Sequence, residues 1–129
     1  RHAYWMASLR QEIGKYASFT LGKAYERSNK KAFKKSRRKG IASGYDKPSK
    51  KMDLFNNKVG LSFSNREDSI SVKSLIYKIT NAIFKGELKV IKKDSLGNYL
   101  TCTNQIISTE ELFNKWRNNK CLVSSNLVH

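Results

Sequence analysis

The sequence predicts an α+β fold, with a mostly helical N-terminal half followed by a small antiparallel β-hairpin and a C-terminal helix. Three observations lead there. Apolar residues recur at helical spacing over 3–13 and again over 69–85. Glycines stand where those two patterns stop, at Gly14 and Gly86. Beyond Gly86 the pattern changes to short β-prone runs around a cluster of turn residues.

The elements follow in order. Trp5, Leu9 and Ile13 form a stripe at spacing four, with Met6 beside them, so residues 3–13 are predicted as a helix ending at Gly14. A second helix carries Tyr16, Phe19, Ala24 and Tyr25 and continues through a lysine-rich stretch to Gly40, with Gly22 weakening its middle. Residues 40–51, holding Gly40, Ser43, Gly44, Pro48 and Ser49, have the chemistry of a loop. Residues 52–63 read as a turn or a short helix followed by an extended piece. The clearest helix runs from Ser69 to Lys85 on Val72, Leu75, Ile76, Ile79, Ile83 and Phe84, with Ser69 or Ser71 as its cap. Residues 88–92 and 99–103 are predicted to pair as a hairpin across 94–98. Thr109, Glu110 and Glu111 open a last helix whose apolar face is Leu112, Phe113 and Trp116.

A chain of 129 residues with 39% hydrophobic content suits a single domain, here taken as 1–129. It is too apolar for a disordered basic tail, and no stretch approaches the ~18 apolar residues of a membrane-spanning helix. Two cysteines exclude a disulfide-dense scaffold and a four-cysteine zinc site, and Cys102 and Cys121 are expected as free thiols. The chain opens on Arg1 and reads as a domain excised from the C-terminal end of a larger protein.

The dominant feature is a net charge of +16. Such an excess repels itself in the folded state and points to an anionic partner. Between Lys23 and Lys51 stand 12 Lys and Arg against Glu26 and Asp46. The densest run, Lys30, Lys31, Lys34, Lys35, Arg37, Arg38 and Lys39, makes a phosphate-tracking face on a helix, with Phe33 and Tyr45 available for base stacking. A solvated charged face is the plainer alternative. The run lacks the opposed apolar face of an interfacial helix, so stable membrane insertion is not expected.

Of the two histidines, His129 ends the chain and is expected to fray, which leaves His2 as the candidate proton carrier. A reversal at Gly14 would bring His2 and Glu26, twelve residues to either side of it, to the same end of a helical hairpin. Glu26 could then orient the imidazole or share acid–base work with it. Asp53 and Asn57 are four apart and would align on one helical turn beside Asn56. No histidine pair or cysteine pair has ligand spacing, so neither a metal nor another cofactor is expected, although Asp53 and Glu26 leave a Mg²⁺ site conceivable. P-loop, dinucleotide and nucleophile-elbow signatures are absent.

The run Arg1-His2-Ala3-x-Trp5, then Ala24-Tyr25-Glu26, then Asp53-x-x-Asn56-Asn57-x-x-Gly60 resembles a family of small bacterial domains carrying R-H-A-x-W, A-H-E and D-x-x-N-N-x-x-G. That family occurs at the C-terminal ends of large secreted proteins of the polymorphic, contact-dependent toxin type, and the resemblance covers the first half of the chain. It implies that Arg1, His2, Glu26, Asp53, Asn56 and Asn57 belong to one site. It also implies secretion within a larger protein, action in the target-cell cytoplasm and a neutralising immunity protein. Tyr25 departs from the family's histidine, so the Tyr25 hydroxyl becomes a candidate donor. Charge and site together give the expectation of a metal-independent ribonuclease acting on tRNA or another RNA, held in a 1:1 complex by an acidic immunity protein. The alternatives are a hydrolase acting on lipid or cell wall, and a non-enzymatic nucleic-acid-binding module.

Overall fold

The computed structural model describes residues 1–41, 44–66 and 68–128. Its order is α1 (His2–Ile13), α2 (Lys15–Arg38), α3 (Lys47–Leu61), α4 (Val72–Lys85), β1 (Lys89–Ile91), α5 (Thr109–Leu112) and β2 (Leu122–Ser124), closed by a 3₁₀ turn over Ser125–Val128. The α+β class and its helical first half are as predicted. His129 and Ser43 lie outside the described residues.

Gly14 makes the reversal between α1 and α2, with φ at 83° and ψ at 171°. A side chain is strained at such a φ, which is why the hairpin turns there. The two helices and α3 then pack through small residues rather than through the expected Trp5–Leu9–Ile13 stripe. Ala3, Met6 and Ala7 are the buried residues of α1, while Ile13 is 43% exposed. Close approach decides this: a Cβ on Gly22 would meet the Met6 side chain, and one on Gly60 would stand 2.3 Å from the Ala3 carbonyl oxygen. On α2 the buried line is Ser18, Gly22, Glu26 and Phe33, whereas Tyr16 faces water.

Residues 47–51, expected as loop, form the first turn of α3. Asp46 caps it by accepting from the Ser49 N–H at 3.0 Å, and Pro48 stands in the first turn, where a missing N–H costs nothing. The helix then runs unbroken to Leu61, in place of a turn or a short helix followed by an extended piece. On α4 the Ser71 cap and the left-handed Gly86 end are as predicted, but only part of the stripe is covered. Ile79 joins Ala3 and Leu88 in the core, while Val72, Ile76 and Phe84 are exposed.

The second half departs most. The Asp94 carboxylate accepts from the Leu96 and Asn98 N–H groups and closes the expected turn. Yet the returning chain makes only isolated bridges, Lys93 with Tyr99 and Leu100 with Ile106. The partner of β1 is β2, antiparallel, with Val90 opposite Val123. The Asn56 side-chain amide bonds both the N–H and the C=O of Lys89, each at 2.9 Å, and so satisfies strand groups that a hairpin partner would have needed. The last helix is a single turn with a Ser108–Glu111 capping box, and Trp116 lies beyond it, 5.1 Å from Phe33 and 5.9 Å from Tyr45 between ring centres. The cysteines are not free thiols: Cys102 and Cys121 form a disulfide across 19 residues. A cross-link of that span stabilises the folded state by roughly 3 kcal/mol in the chain-entropy account.

Candidate functional site

His2 is the first residue of α1, and the Gly14 reversal brings it against α2 and α3. Its Nδ1 is 3.2 Å from Asn57 Oδ1, and its Nε2 is 3.4 Å from Asp53 Oδ2. Asp53 and Asn57 share one face of α3, as their spacing predicted. An acceptor oxygen at Nδ1 favours the tautomer with its proton there, which leaves Nε2 as the atom that gains or loses a proton beside Asp53. Glu26 comes from the middle of α2 and is 1% exposed. Ligand atoms of His2, Glu26 and Asp53 all lie within 4.8 Å of one another. The hairpin therefore does what the symmetry about Gly14 suggested.

The electrostatics of this cluster are unusual. Burial, and then the neighbouring Asp53 charge, push the Glu26 carboxyl up to about 7, against the opposing pull of Lys50 and the Asn29 side chain. Burial also raises Asp53, while His2 and Arg1 pull it down. Two carboxyls crowded into a dry site cannot both ionise freely, so one holds a proton near neutral pH.

The sign for stability follows. A carboxyl raised on folding favours the folded state below its unfolded value of 4.5, and that contribution is lost as pH rises through about 7. Glu26→Gln, which stays neutral, is expected to gain on the parent protein across that window by up to about 3 kcal/mol. Urea midpoints between pH 4 and pH 8 measure it. Curves for parent and variant that keep a constant separation would contradict the buried-carboxyl account.

Arg1, His2, Tyr4, Trp5 and Tyr25 wall a cavity of about 390 Å³ beside the cluster. Tyr25 meets His2 through its ring, 5.9 Å between centres, and Trp5 at 5.7 Å. Asn56, which the resemblance put in the same site, is turned away to the Lys89 backbone and holds the sheet to α3. His2, Glu26 and Asp53 could hold a divalent cation through one imidazole nitrogen and two carboxylates.

Along α2 the basic face begins just past the cluster: Lys30 to Arg38 stand about 6 to 18 Å from Glu26 at 1.5 Å rise per residue. Lys31, Lys34, Lys35, Arg37, Arg38 and Lys39 are exposed, and no ion pair neutralises them among the described residues. Lys30 lies over Trp116 at 5.4 Å. Phe33 is not available for stacking, because it is 3% exposed beneath Trp116. Tyr45 packs on that same Trp116 ring and its hydroxyl is buried, so the expected stacking pair is engaged with Trp116 instead.

A family described as a domain of unknown function (DUF6973) matches residues 1–87. The chain belongs to this family. The DUF6973 match spans α1 to α4 and so contains Arg1, His2, Tyr25, Glu26, Asp53 and Asn57, whereas the disulfide and Trp116 lie beyond it. No curated protein matches the chain. No solved structure matches it either.

Sequence reasoning missed Lys50, the cation that opposes the rise at Glu26, because its stretch read as loop. Asp46 followed by Pro48 was the signal of a helix start that could have found it.

Proposed function

We propose that this domain is a toxin module that cleaves RNA by acid–base chemistry at His2. One observation carries the reading: the imidazole is fixed at both nitrogens by Asn57 and Asp53, beside a second buried carboxyl and at the edge of a cavity that Arg1 shares. In this scheme His2 Nε2 takes the proton of a ribose 2′-hydroxyl as that oxygen attacks phosphorus. The bond to the 5′ oxygen breaks, the leaving oxygen takes a proton from water, and a cyclic phosphate remains. Asp53, 3.4 Å from that same Nε2, stabilises the imidazolium by its charge, while Asn57 holds the ring from Nδ1. Arg1 offsets charge on the phosphoryl oxygens, and the basic face of α2 holds the flanking backbone. The disulfide supports a chain that folds in an oxidising compartment, in keeping with secretion within a larger protein, and the net charge supports an acidic immunity protein as its antidote.

A second mechanism is favoured by the convergence of His2, Glu26 and Asp53: a bound divalent cation would activate water in place of the imidazole. Incubating the purified protein with total RNA, with and without EDTA, separates the two. Cleavage that persists in EDTA and leaves cyclic phosphate ends is the expected result. Cleavage lost in EDTA and restored by Mg²⁺ or Mn²⁺ supports the cation. RNA left intact under every condition overturns the ribonuclease proposal.

A further inference from the structure

A second cavity, of about 330 Å³, lies between the start of α3 and the C-terminal segment, walled by Lys47, Lys51, Arg117 and Lys120 together with Pro48 and Asn118. Its charge is not balanced from within. Asp46 is the nearby acid, and it accepts from Lys120 Nζ at 2.6 Å, Asn118 Nδ2 at 2.9 Å and the Ser49 hydroxyl at 2.7 Å. Burial pushes Asp46 up, but these bonds outweigh it and hold the carboxyl below its ordinary value. Its charge is therefore spent on Lys120. Lys47, Lys51 and Arg117 have no counter-ion within 4 Å among the described residues. The Arg117 charge foremost, then burial, Lys51 and Lys30, holds Lys47 below the usual lysine value. Cations drawn together from α2, α3 and the C-terminal segment repel one another in the free protein, and an anion between them would remove that repulsion.

The α3 terminus adds nothing of its own. The Lys47 N–H donates to the Trp116 carbonyl at 2.8 Å, Pro48 has no N–H, and the Ser49 N–H is taken by Asp46. Side-chain charge alone makes this site. Position argues for what fills it. α3 carries Lys47 and Lys51 at one end and Asp53 and Asn57 further on, and six residues of helix separate Lys47 from Asp53 by about 9 Å. A chain of repeating phosphates can span that distance.

We propose that Lys47, Lys51 and Arg117 form a phosphate-binding subsite for the backbone of a single-stranded nucleic acid whose neighbouring segment lies at His2. No aromatic side chain lines this cavity, so the contacts it offers are to the backbone and binding is indifferent to sequence. The ligand class rests on the ribonuclease proposal, but the subsite does not depend on cleavage.

The test measures binding alone. Fluorescence anisotropy with a labelled oligodeoxynucleotide, which has the phosphates but no 2′-hydroxyl, is followed against salt for the parent protein and for Lys47→Gln/Lys51→Gln/Arg117→Gln. The triple variant is expected to bind roughly tenfold more weakly, and its log–log salt slope to fall by about 2, at ~0.7 per single-strand contact. The loss should be equal for dT and dA oligomers. Its melting temperature should hold or rise, because repulsion has been removed. Should the triple variant fail to fold, Arg117→Gln alone, at an exposed position, is expected to lower the slope by about 0.7. A folded variant with undiminished affinity and an unchanged slope overturns the subsite. If poly-glutamate binding depends on these residues and oligonucleotide binding does not, the cavity receives an acidic protein instead. Intact oligonucleotide binding without any RNA cleavage would reject the catalytic proposal and leave this one standing.

Discussion

His2→Ala is expected to abolish RNA cleavage and growth inhibition while leaving a folded protein. Among the described residues of the cluster, the imidazole combines a polar contact at each nitrogen with an edge on the cavity. Losing a general acid or base typically costs about 10²–10⁴ in rate. The change also removes one of the charges that draw Asp53 down, so the Asp53 carboxyl should rise further. His2→Asn keeps an amide that can reach Asn57 and offers no proton transfer, so it should be as inactive as alanine and more stable. Circular dichroism and a timed digest of total RNA measure both. A folded His2→Ala protein that cleaves and kills at the parental rate removes His2 from the mechanism.

Gly60→Ala is expected to be the most damaging substitution outside the catalytic cluster, lowering stability by about 3 kcal/mol or more. Its Cβ would stand 2.3 Å from the Ala3 carbonyl oxygen and 2.6 Å from Ala3 Cα, where backbone faces backbone and no rotamer can relieve the clash. α1 must then lift from α3. Ala3 adjoins His2, so the same displacement draws the imidazole from Asp53 and Asn57, and activity should fall even where the protein remains folded. Gly44→Ala, with nothing within 4 Å of the added carbon, is the control and should be near neutral. Thermal melts and single-turnover cleavage read the two effects. A Gly60→Ala protein within about 0.5 kcal/mol of the parent would show that the helices are not held this closely.

The helical half was legible because its information is local. Period, cap and glycine are read within a few residues, and they gave α1, α2 and α4 with ends near Gly14 and Gly86. The site was legible to the same depth, since symmetry about Gly14 and the four-residue spacing of Asp53 and Asn57 are arithmetic on the chain. What escaped depends on distant neighbours. The sequence pattern put Trp5 and Ile13 inward, but Gly22 and Gly60 let backbones approach on the other side of α1. Residues 99–103 read as a strand, yet β1 pairs with β2 and gives the Lys89 N–H and C=O to Asn56. The same bonds take Asn56 out of the site the motif suggested. Nor could the cysteines announce their pairing, which needs a fold that sets their Cα atoms 4.9 Å apart.

Asp46 caps α3 and also anchors Asn118 and Lys120, residues 72 and 74 positions further along the chain. One carboxylate thus joins two segments into a single opening unit. The first turn of α3 cannot fray alone, since the Lys47 amide is bonded to the Trp116 carbonyl and the Ser49 amide to the same Asp46. In hydrogen exchange these two amides should be released together when the 116–120 segment lifts away, rather than at the rate of an ordinary helix end. The segment beyond residue 87, outside the family match, thereby governs how often the helix bearing Asp53 and Asn57 begins to unravel.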